Sequence, residues 1–357
     1  MIPSAPGTEI GTAARSSARA RRVSAARPSR RILITGGAGF LGVNAAVHMI
    51  DGGWHVTLLD NLSRPGTERN LKWLITEYPT HTTFIKEDVR NAAALSDHVK
   101  NHDAILHLAG QVAVTTSLKD PVTDFDVNAA GTLNLLEATR KQNPEAPFVF
   151  ASTNKVYGKL ENNNVACKES QPIDFHSPYG CSKGAADQYV RDYARCFHMN
   201  TVVLRQSCIY GAHQYGTEDQ GWVAHFVHSI LNDRPLTIYG DGTQVRDLLD
   251  ARDLCALYET TINNIDKTAG EIYNVGGGPP NQRNLLEVIE LIGELTGRVP
   301  KYTFADWREG DQTYYVSDVD KAKQHLDWEP RIPFDRGLKD LVAWAASVSP
   351  SGRFESK

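Results

Sequence analysis

The sequence predicts an α/β fold, a doubly wound parallel sheet with a smaller, mixed α/β lobe at its carboxyl end. Three observations carry this expectation. From residue 31 onward, short apolar runs alternate with stretches of helical spacing, the pattern of a parallel sheet covered by helices on both faces. Glycines 36, 39 and 42 lie directly after the first run and open the first helical stretch. Asp60 closes the second run, which makes 31–60 a βαβ unit.

Residues 1–30 precede this pattern. They hold six arginines (15, 19, 21, 22, 27 and 30) against one acid, Glu9, a net of +5. Subtracting them from totals of 38 basic and 42 acidic groups leaves 32 and 41, or −9, for the rest. The body is thus a mildly acidic globule, which speaks against nucleic acid as its partner. The tail has almost no large apolar residue to offset its ordering entropy, and it reads as a disordered, solvated extension. An organelle transit peptide or a basic arm would share its Arg- and Ser-rich, acid-poor composition. It lacks the apolar core of a secretory signal.

The run 31–35 then reads as the first strand, 39–50 as a helix and 54–59 as the second strand. Further strands are expected at 82–85, 104–108 and 148–151, and helices near 67–77, 91–100 and 122–142. At 357 residues the chain is long for one domain. Residues 31–205 with 244–261 are expected to form the first (Rossmann) domain, and 206–243 with 262–345 the second lobe, followed by a tail at 346–357. No apolar run approaches the roughly 18 residues a membrane span needs. Five cysteines (167, 181, 196, 208 and 255) are an odd number without a Cys-x-x-Cys pair. They point to a reducing, cytoplasmic setting and away from a zinc cluster.

In Thr35-Gly36-Gly-Ala-Gly39-Phe40-Leu41-Gly42, the first glycine of the trio allows the tight turn. The second lets backbone approach a pyrophosphate, and the third lets helix and strand pack closely. A glycine trio alone is a weak signal, but here strand and helix flank it, and Asp60 follows 18 residues after Gly42. That carboxylate can accept from both ribose hydroxyls and would repel a 2′-phosphate, so NAD is expected over NADP.

A second constellation carries chemistry. In Ser177-Pro-Tyr179-Gly-Cys-Ser-Lys183, Pro178 suits a first helical turn, and a helix running to about 197 sets Tyr179 and Lys183 on one face. A phenol is a poor base at neutral pH. A nearby ammonium, with the positive nicotinamide ring, is expected to lower its pKa so that Tyr179 takes a hydroxyl proton. Thr153 leaves the fifth strand and points into the crevice where such sheets bind ligands. A surface Tyr-Lys pair and a strand-end cap would be the bland alternatives.

These residues together resemble the extended short-chain dehydrogenase/reductase family, the nucleotide-sugar epimerases and dehydratases, over about 31–345. Within it the wording is most similar to the CDP-paratose 2-epimerase branch: Asn61-Leu-Ser-Arg64, Gly110-Gln-Val-Ala-Val-Thr-Thr-Ser117, Ser152-Thr-Asn-Lys-Val-Tyr-Gly158, 174–188 and Asp219-Gln-Gly-Trp222. The resemblance implies an NAD-dependent epimerase acting on a nucleotide sugar, a CDP-sugar at carbon 2, through Thr153, Tyr179 and Lys183. Asn61 joins Asp60 at the cofactor, Asp88 and Val89 match the pair that holds adenine, and Leu108, Ala109 and Gly110 match the strip that lines the cofactor. Arg246 and Arg308 match arginines that clasp a sugar-nucleotide pyrophosphate, for which a planar guanidinium is well shaped. Gln111, Thr116, Ser117 and Asn154 are candidate sugar contacts. A homodimer through helices near 122–142 and 178–197 is also implied.

Two departures bear on the reaction. Where the family's dehydratases carry an Asp-Glu pair after the threonine, this chain has Asn154-Lys155, which cannot serve as a carboxylic acid and carboxylate. Arg205-Gln-Ser-Cys208 stands where many 4-epimerases have Tyr-Phe-Asn, leaving no substrate contact to infer at Cys208. Lys155 reads either as a sugar or phosphate contact or as a solvated charge. His225 and His228 have metal-ligand spacing but no third ligand, so no metal is expected. The alternatives are epimerisation at another carbon or on a UDP- or dTDP-sugar, a net oxidoreductase, and a non-catalytic dinucleotide sensor.

Overall fold

The computed structural model describes residues 30–160, 165–308 and 310–348; the basic tail and the end of the carboxyl-terminal tail lie outside them. The five runs read from the first half form strands β1 (Arg31–Thr35), β2 (His55–Asp60), β3 (Thr82–Lys86), β4 (Ala104–His107) and β5 (Phe148–Thr153), and β6 (Thr201–Gln206) follows them. Later strands are β7 (Cys208–Tyr210), β8 (Leu236–Tyr239), β9 (Val245–Asp250), β10 (Ile272–Val275), β11 (Gln282–Asn284), β12 (Tyr302–Ala305) and β13 (Tyr314–Tyr315).

Helices α1 (Phe40–Asp51), α2 (Thr67–Glu77), α3 (Ala92–His98), α4 (Val114–Lys119), α5 (Pro121–Phe125), α6 (Gly131–Gln142) and α7 (Ser177–Phe197) alternate with the first six strands. They are followed by α8 (Trp222–Leu231), α9 (Ala251–Asn263), α10 (Ile265–Thr268), α11 (Leu285–Thr296), α12 (Asp320–Leu326) and α13 (Phe334–Val348).

The large sheet has the order β10-β6-β5-β4-β1-β2-β3, all parallel. Alternate residues of its strands feed two cores. Ile32, Ile34, Val56, Leu58, Leu106 and Val149 pack toward Ala45, Met49, Leu74 and Leu257, while Leu33, Leu59, Ile105 and Phe148 face Leu95, Leu135 and Val190. Burial on both faces is why these strands read as continuous apolar runs rather than alternating ones. The strand order reverses between β1 and β4, and the carboxyl ends of the strands there, at Thr35 and His107, sit in register. A crevice at such a switch point is where open sheets of this kind bind ligands.

In the second lobe, β11-β9-β13 with β7 form one small sheet and β12-β8 another. Helices α8, α11 and α13 close a third core around Val227, Ile292 and Leu338.

The structure redraws two boundaries. Strand β10 pairs with β6 in the large sheet, while β9 belongs to the small one, so neither 262–345 nor 244–261 lies wholly on its expected side. A four-residue apolar strand reads alike whichever sheet completes its hydrogen bonds. The helix expected over 122–142 is instead α5, a π-helical turn (Asp126–Ala130) and α6. Pro121 starts α5 and Asp120 caps it. The wide turn carries Asn128, whose amide donates to Gln111 O, Asp124 Oδ1 and Ser182 Oγ, a packing demand invisible in helical periodicity. Among the described residues no helix is long and apolar enough to cross a membrane, no group of residues could hold a metal ion, and all five cysteines are free.

Candidate active site

The turn from β1 into α1 is built by its glycines. Gly36 has φ of +68°, and a Cβ there would stand 2.7 Å from Ala109 N. A Cβ on Gly42 would stand 2.4 Å from Gly36 O, so only glycine permits this closeness of helix and turn. Gly39 caps α1 without any side-chain hydrogen bond. The amide groups ahead of Phe40 and Leu41 thus form an uncapped helix end, the arrangement that attracts a phosphate.

Asp60, 9% exposed at the end of β2, accepts from Ala38 N (3.1 Å) and Leu62 N (2.8 Å). Burial raises its pKa, and those two amide bonds oppose the rise. It therefore pins the glycine turn from the carboxyl end of β2. Asn61 donates to Asp88 (2.8 Å), whose carboxyl is held well below the usual range by Arg90. Val89 is buried against Gly131. Leu108 and Ala109 pack on Gly36, and Gly110 lies between Asn128 and Lys183. The glycine cradle, uncapped helix end and inward carboxylate fit a dinucleotide with free ribose hydroxyls.

Beneath them runs a relay that sequence reasoning missed. The buried ring of His107 bonds Thr35 Oγ1 (2.6 Å) and Thr132 Oγ1 (3.0 Å), and burial pushes its pKa down to about 3. It is neutral near pH 7 and holds β1, β4 and α6 together. A histidine inside an apolar strand was its only sequence signal.

At the carboxyl end of β5, Thr153 Oγ1 donates to Asn154 Oδ1 (3.4 Å) and accepts from Lys155 N (3.3 Å), and it neighbours the Tyr179 phenol, whose burial-raised pKa it helps to lower. Ser117 Oγ accepts from Tyr179 N (3.1 Å) and donates to Val114 O, which seats the first turn of α7. Its hydroxyl is thus spent inside the protein. Gln111 is likewise turned inward, its amide donating to Ala113 O and to Asp124 Oδ1 (2.9 Å). Thr116 is exposed on α4. Asp124, Asn128 and Ser182 form a buried floor under Tyr179 and Lys183 that the sequence did not reveal.

The expected lowering of the Tyr179 pKa by Lys183 is not what the protein alone provides. Burial pushes the phenol up to about 12, with Thr153 and Arg64 working against the rise. Lys183 is driven down to about 7 by burial, opposed by Asp187 and Asp124. Its Nζ donates to Ala151 O (2.6 Å) and sits 4.2 Å over the Phe150 ring. Helical spacing correctly puts the two residues on one face, yet each meets a dry environment that disfavours its own charge.

The second lobe supplies the opposite wall. Asn154 donates to Gln312 Oε1 (3.3 Å), and Gln312 donates to Gly158 O. Arg246 reaches Asp311 Oδ1 at 2.7 Å, and Lys155 Nζ lies 3.7 Å from the same oxygen. Burial, first, and Arg246 lower Lys155 to about 8, while Asp311 and Cys208 raise it. Arg308 stacks 3.9 Å over Tyr239 and donates to Glu218 O, with the carboxylates of Glu218 and Asp219 at 3.7 and 3.9 Å. Thus Arg308, Asp311 and Gln312 link both walls, and Asp311 and Gln312 join the residues the sequence singled out.

Comparison with known proteins places this geometry. A family model described as GDP-mannose 4,6 dehydratase matches residues 33–341. The chain is 41% identical to the CDP-paratose 2-epimerase of Salmonella typhi, over 89% of its own length and 100% of that protein. UDP-glucose 4-epimerase of Thermus thermophilus, solved with NAD, superposes with a TM-score of 0.80 at 31% identity, covering 88% of this chain and 99% of that one. The dTDP-glucose 4,6-dehydratase DesIV of Streptomyces venezuelae, solved with NAD, gives 0.81 at 28%, covering 89% and 97%. The chain belongs to the GDP-mannose 4,6 dehydratase family, the epimerases and dehydratases of the extended short-chain dehydrogenase/reductase type.

Proposed function

We propose that this protein is an NAD-dependent nucleotide-sugar epimerase that inverts carbon 2 of a CDP-linked sugar. The observation that carries this reading is Thr153 at the carboxyl end of β5 beside Tyr179 in the first turn of α7, followed by residues that cannot perform dehydration. Elimination of water needs an acid for the leaving hydroxyl and a base for a ring proton. The side chains after Thr153 are an amide bonded to Gln312 and an amine beside Asp311. The 41% identity to a CDP-paratose 2-epimerase supports the carbon and the base. Relatives such as the UDP-glucuronate 4-epimerase of Thermodesulfobacterium geofontis, 30% identical, favour the second reading, inversion at carbon 4 of a UDP-sugar.

In this assignment the residues work as follows. Gly36, Gly39, Gly42 and Asp60 hold the dinucleotide, with Asn61, Asp88 and Val89 at its adenosine end and Leu108, Ala109 and Gly110 along it. Thr153 holds the reacting hydroxyl by a hydrogen bond, and Tyr179 takes its proton and later returns it. Lys183, under Tyr179, supplies a titratable cation beside the cofactor. Bound NAD supplies the hydride acceptor and donor for transient oxidation, and its positive ring offsets the burial that raises Tyr179. Arg246 and Arg308 hold the diphosphate. Leu118, Val122, Phe125, Tyr189 and Phe197 are exposed on α4, α5 and α7, and through them we assign a homodimer. Five free cysteines favour the reducing cytoplasm.

The test is the fate of the hydrogen on the inverted carbon. Substrate deuterated there should keep its label in ordinary water, and purified protein should turn over repeatedly without added cofactor. Washout of the label would mean deprotonation beside a carbonyl. NADH formed in step with product would mean a net oxidoreductase, and inertness toward a panel of nucleotide sugars a sensor.

A further inference from the structure

The Lys155 ammonium is left without a task by that assignment. Lys155 follows Thr153 by two residues, and its backbone N–H donates to Thr153 Oγ1 at 3.3 Å. Its carbonyl oxygen lies 3.5 Å from where a Cβ would stand on Gly180, next to Tyr179. The main chain of Lys155 is therefore built into the reacting end of the site. Its ammonium points the other way, to the Asp311 oxygen that Arg246 also contacts, at 3.7 Å against 2.7 Å. The side chains of Lys155, Asp311 and Arg246 are only 22%, 20% and 8% exposed.

Two cations thus share one carboxylate in a largely dry pocket. Cys208 beside them adds no charge, since burial pushes its thiol up, and Gln312 is a neutral amide. The nearby Asp247 carboxyl is itself pushed toward its neutral form by burial, so among the described residues the cluster keeps an excess of positive charge, which is costly unless an anion completes it. A sugar diphosphate supplies one.

We propose that Lys155 determines which sugar carbon reacts, by gripping the phosphate on the anomeric oxygen beside Arg246 while its own backbone holds Thr153. This rests on the epimerase reading above. A single lysine then sets the span between the diphosphate and the Thr153–Tyr179 pair. Carbon 2 is bonded directly to the anomeric carbon that carries the diphosphate, whereas carbon 4 lies across the ring. A span one side chain wide presents carbon 2 and leaves carbon 4 too far from its phosphate anchor.

The experiment uses the full chain with its bound cofactor and CDP-paratose deuterated at carbon 2 or, separately, at carbon 4. Wild-type protein should invert carbon 2 and pass label to the cofactor only from there. Lys155→Met keeps the stem and removes the charge. It should lower carbon-2 turnover at least about thirtyfold and weaken binding of CDP alone about tenfold, the worth of a charge-assisted phosphate contact. Lys155→Arg, which restores a cation, should recover most of both, and cofactor content should be unchanged throughout. Should the Met variant fail to fold, Lys155→Gln, of similar size and uncharged, replaces it with the same expectations. Carbon-2 turnover within about threefold of wild type in the uncharged variant overturns the inference alone. A wild-type protein that inverts only carbon 4, or does not turn over CDP-paratose, overturns the epimerase reading and the inference with it.

Discussion

Burial decides the chemistry of single residues here. Tyr179 and Lys183 are adjacent on one helix face, yet the absence of water raises the phenol to about 12 and lowers the amine to about 7. The dry pocket disfavours charge on both groups, and a cation arriving with the cofactor opposes that effect at the phenol. Tyr179→Phe keeps the ring, which lies against Thr153, and removes the acid/base group. Turnover should fall at least about a hundredfold, the usual worth of a positioned proton-transfer group, with NAD still bound. Near wild-type turnover in a steady-state assay would falsify the role of Tyr179. The bond from Tyr179 N to Ser117 shows a neighbour working through position: Ser117 matches a sugar-contact motif, but its hydroxyl is committed to the helix end.

At the scale of elements, periodicity fails where a side chain must turn inward. The π-helical turn between α5 and α6 interrupts a stretch that reads as one helix and delivers Asn128 to the floor of the site. Helices α5 and α7 leave apolar groups outside, with Val122 69% and Phe125 54% exposed on α5 and Phe197 exposed on α7. This apolar face is the one through which we propose that two copies pair. Replacing Val122 and Phe125 together by aspartate should convert a dimer to a monomer in sedimentation or light scattering, because two buried charges at an interface are costly. The cofactor cradle lies on the first turn of α1, on other elements, so NAD content should persist. A wild-type protein that sediments as a monomer would remove the dimer.

For the whole molecule, the connection 211–221 carries the joint between lobes. His213 has φ of +65°, its carbonyl accepts from Asn70 (3.2 Å), and its ring lies 4.1 Å from Trp73 and 5.5 Å from Trp344. It wedges α2 of the first lobe against α13 of the second. Burial alone pushes its pKa down to about 4 from an ordinary 6.5. Below 6.5 the unfolded chain takes up a proton that the folded one refuses, so stability falls as pH drops from 6.5 toward 4. The slope for one such group is at most about 1.4 kcal/mol per pH unit, less where water reaches the ring. His213→Asn tolerates the left-handed backbone and cannot titrate. Its Tm should be lower at pH 7, through lost ring packing, but should vary less than wild type between pH 6.5 and 4.5. An unaltered pH dependence in a Tm series would show that His213 is not the sensitive group.

The parallel sheet, the glycine turn, Asp60 and the helix that pairs Tyr179 with Lys183 were all legible in the order of residues along the chain. Each is a local pattern: an apolar period, a backbone angle only glycine adopts freely, or a four-residue spacing. The family was legible for the same reason, since its motifs are short and contiguous. It took the folded chain to establish that β10 joins the large sheet, that Gln111 and Ser117 face inward, and that Asp311 takes both Arg246 and Lys155. These depend on which distant segments meet. Strand pairing, dryness and the sharing of one carboxylate by two cations arise from contacts between residues as far apart as 155 and 311, and no local spacing encodes them.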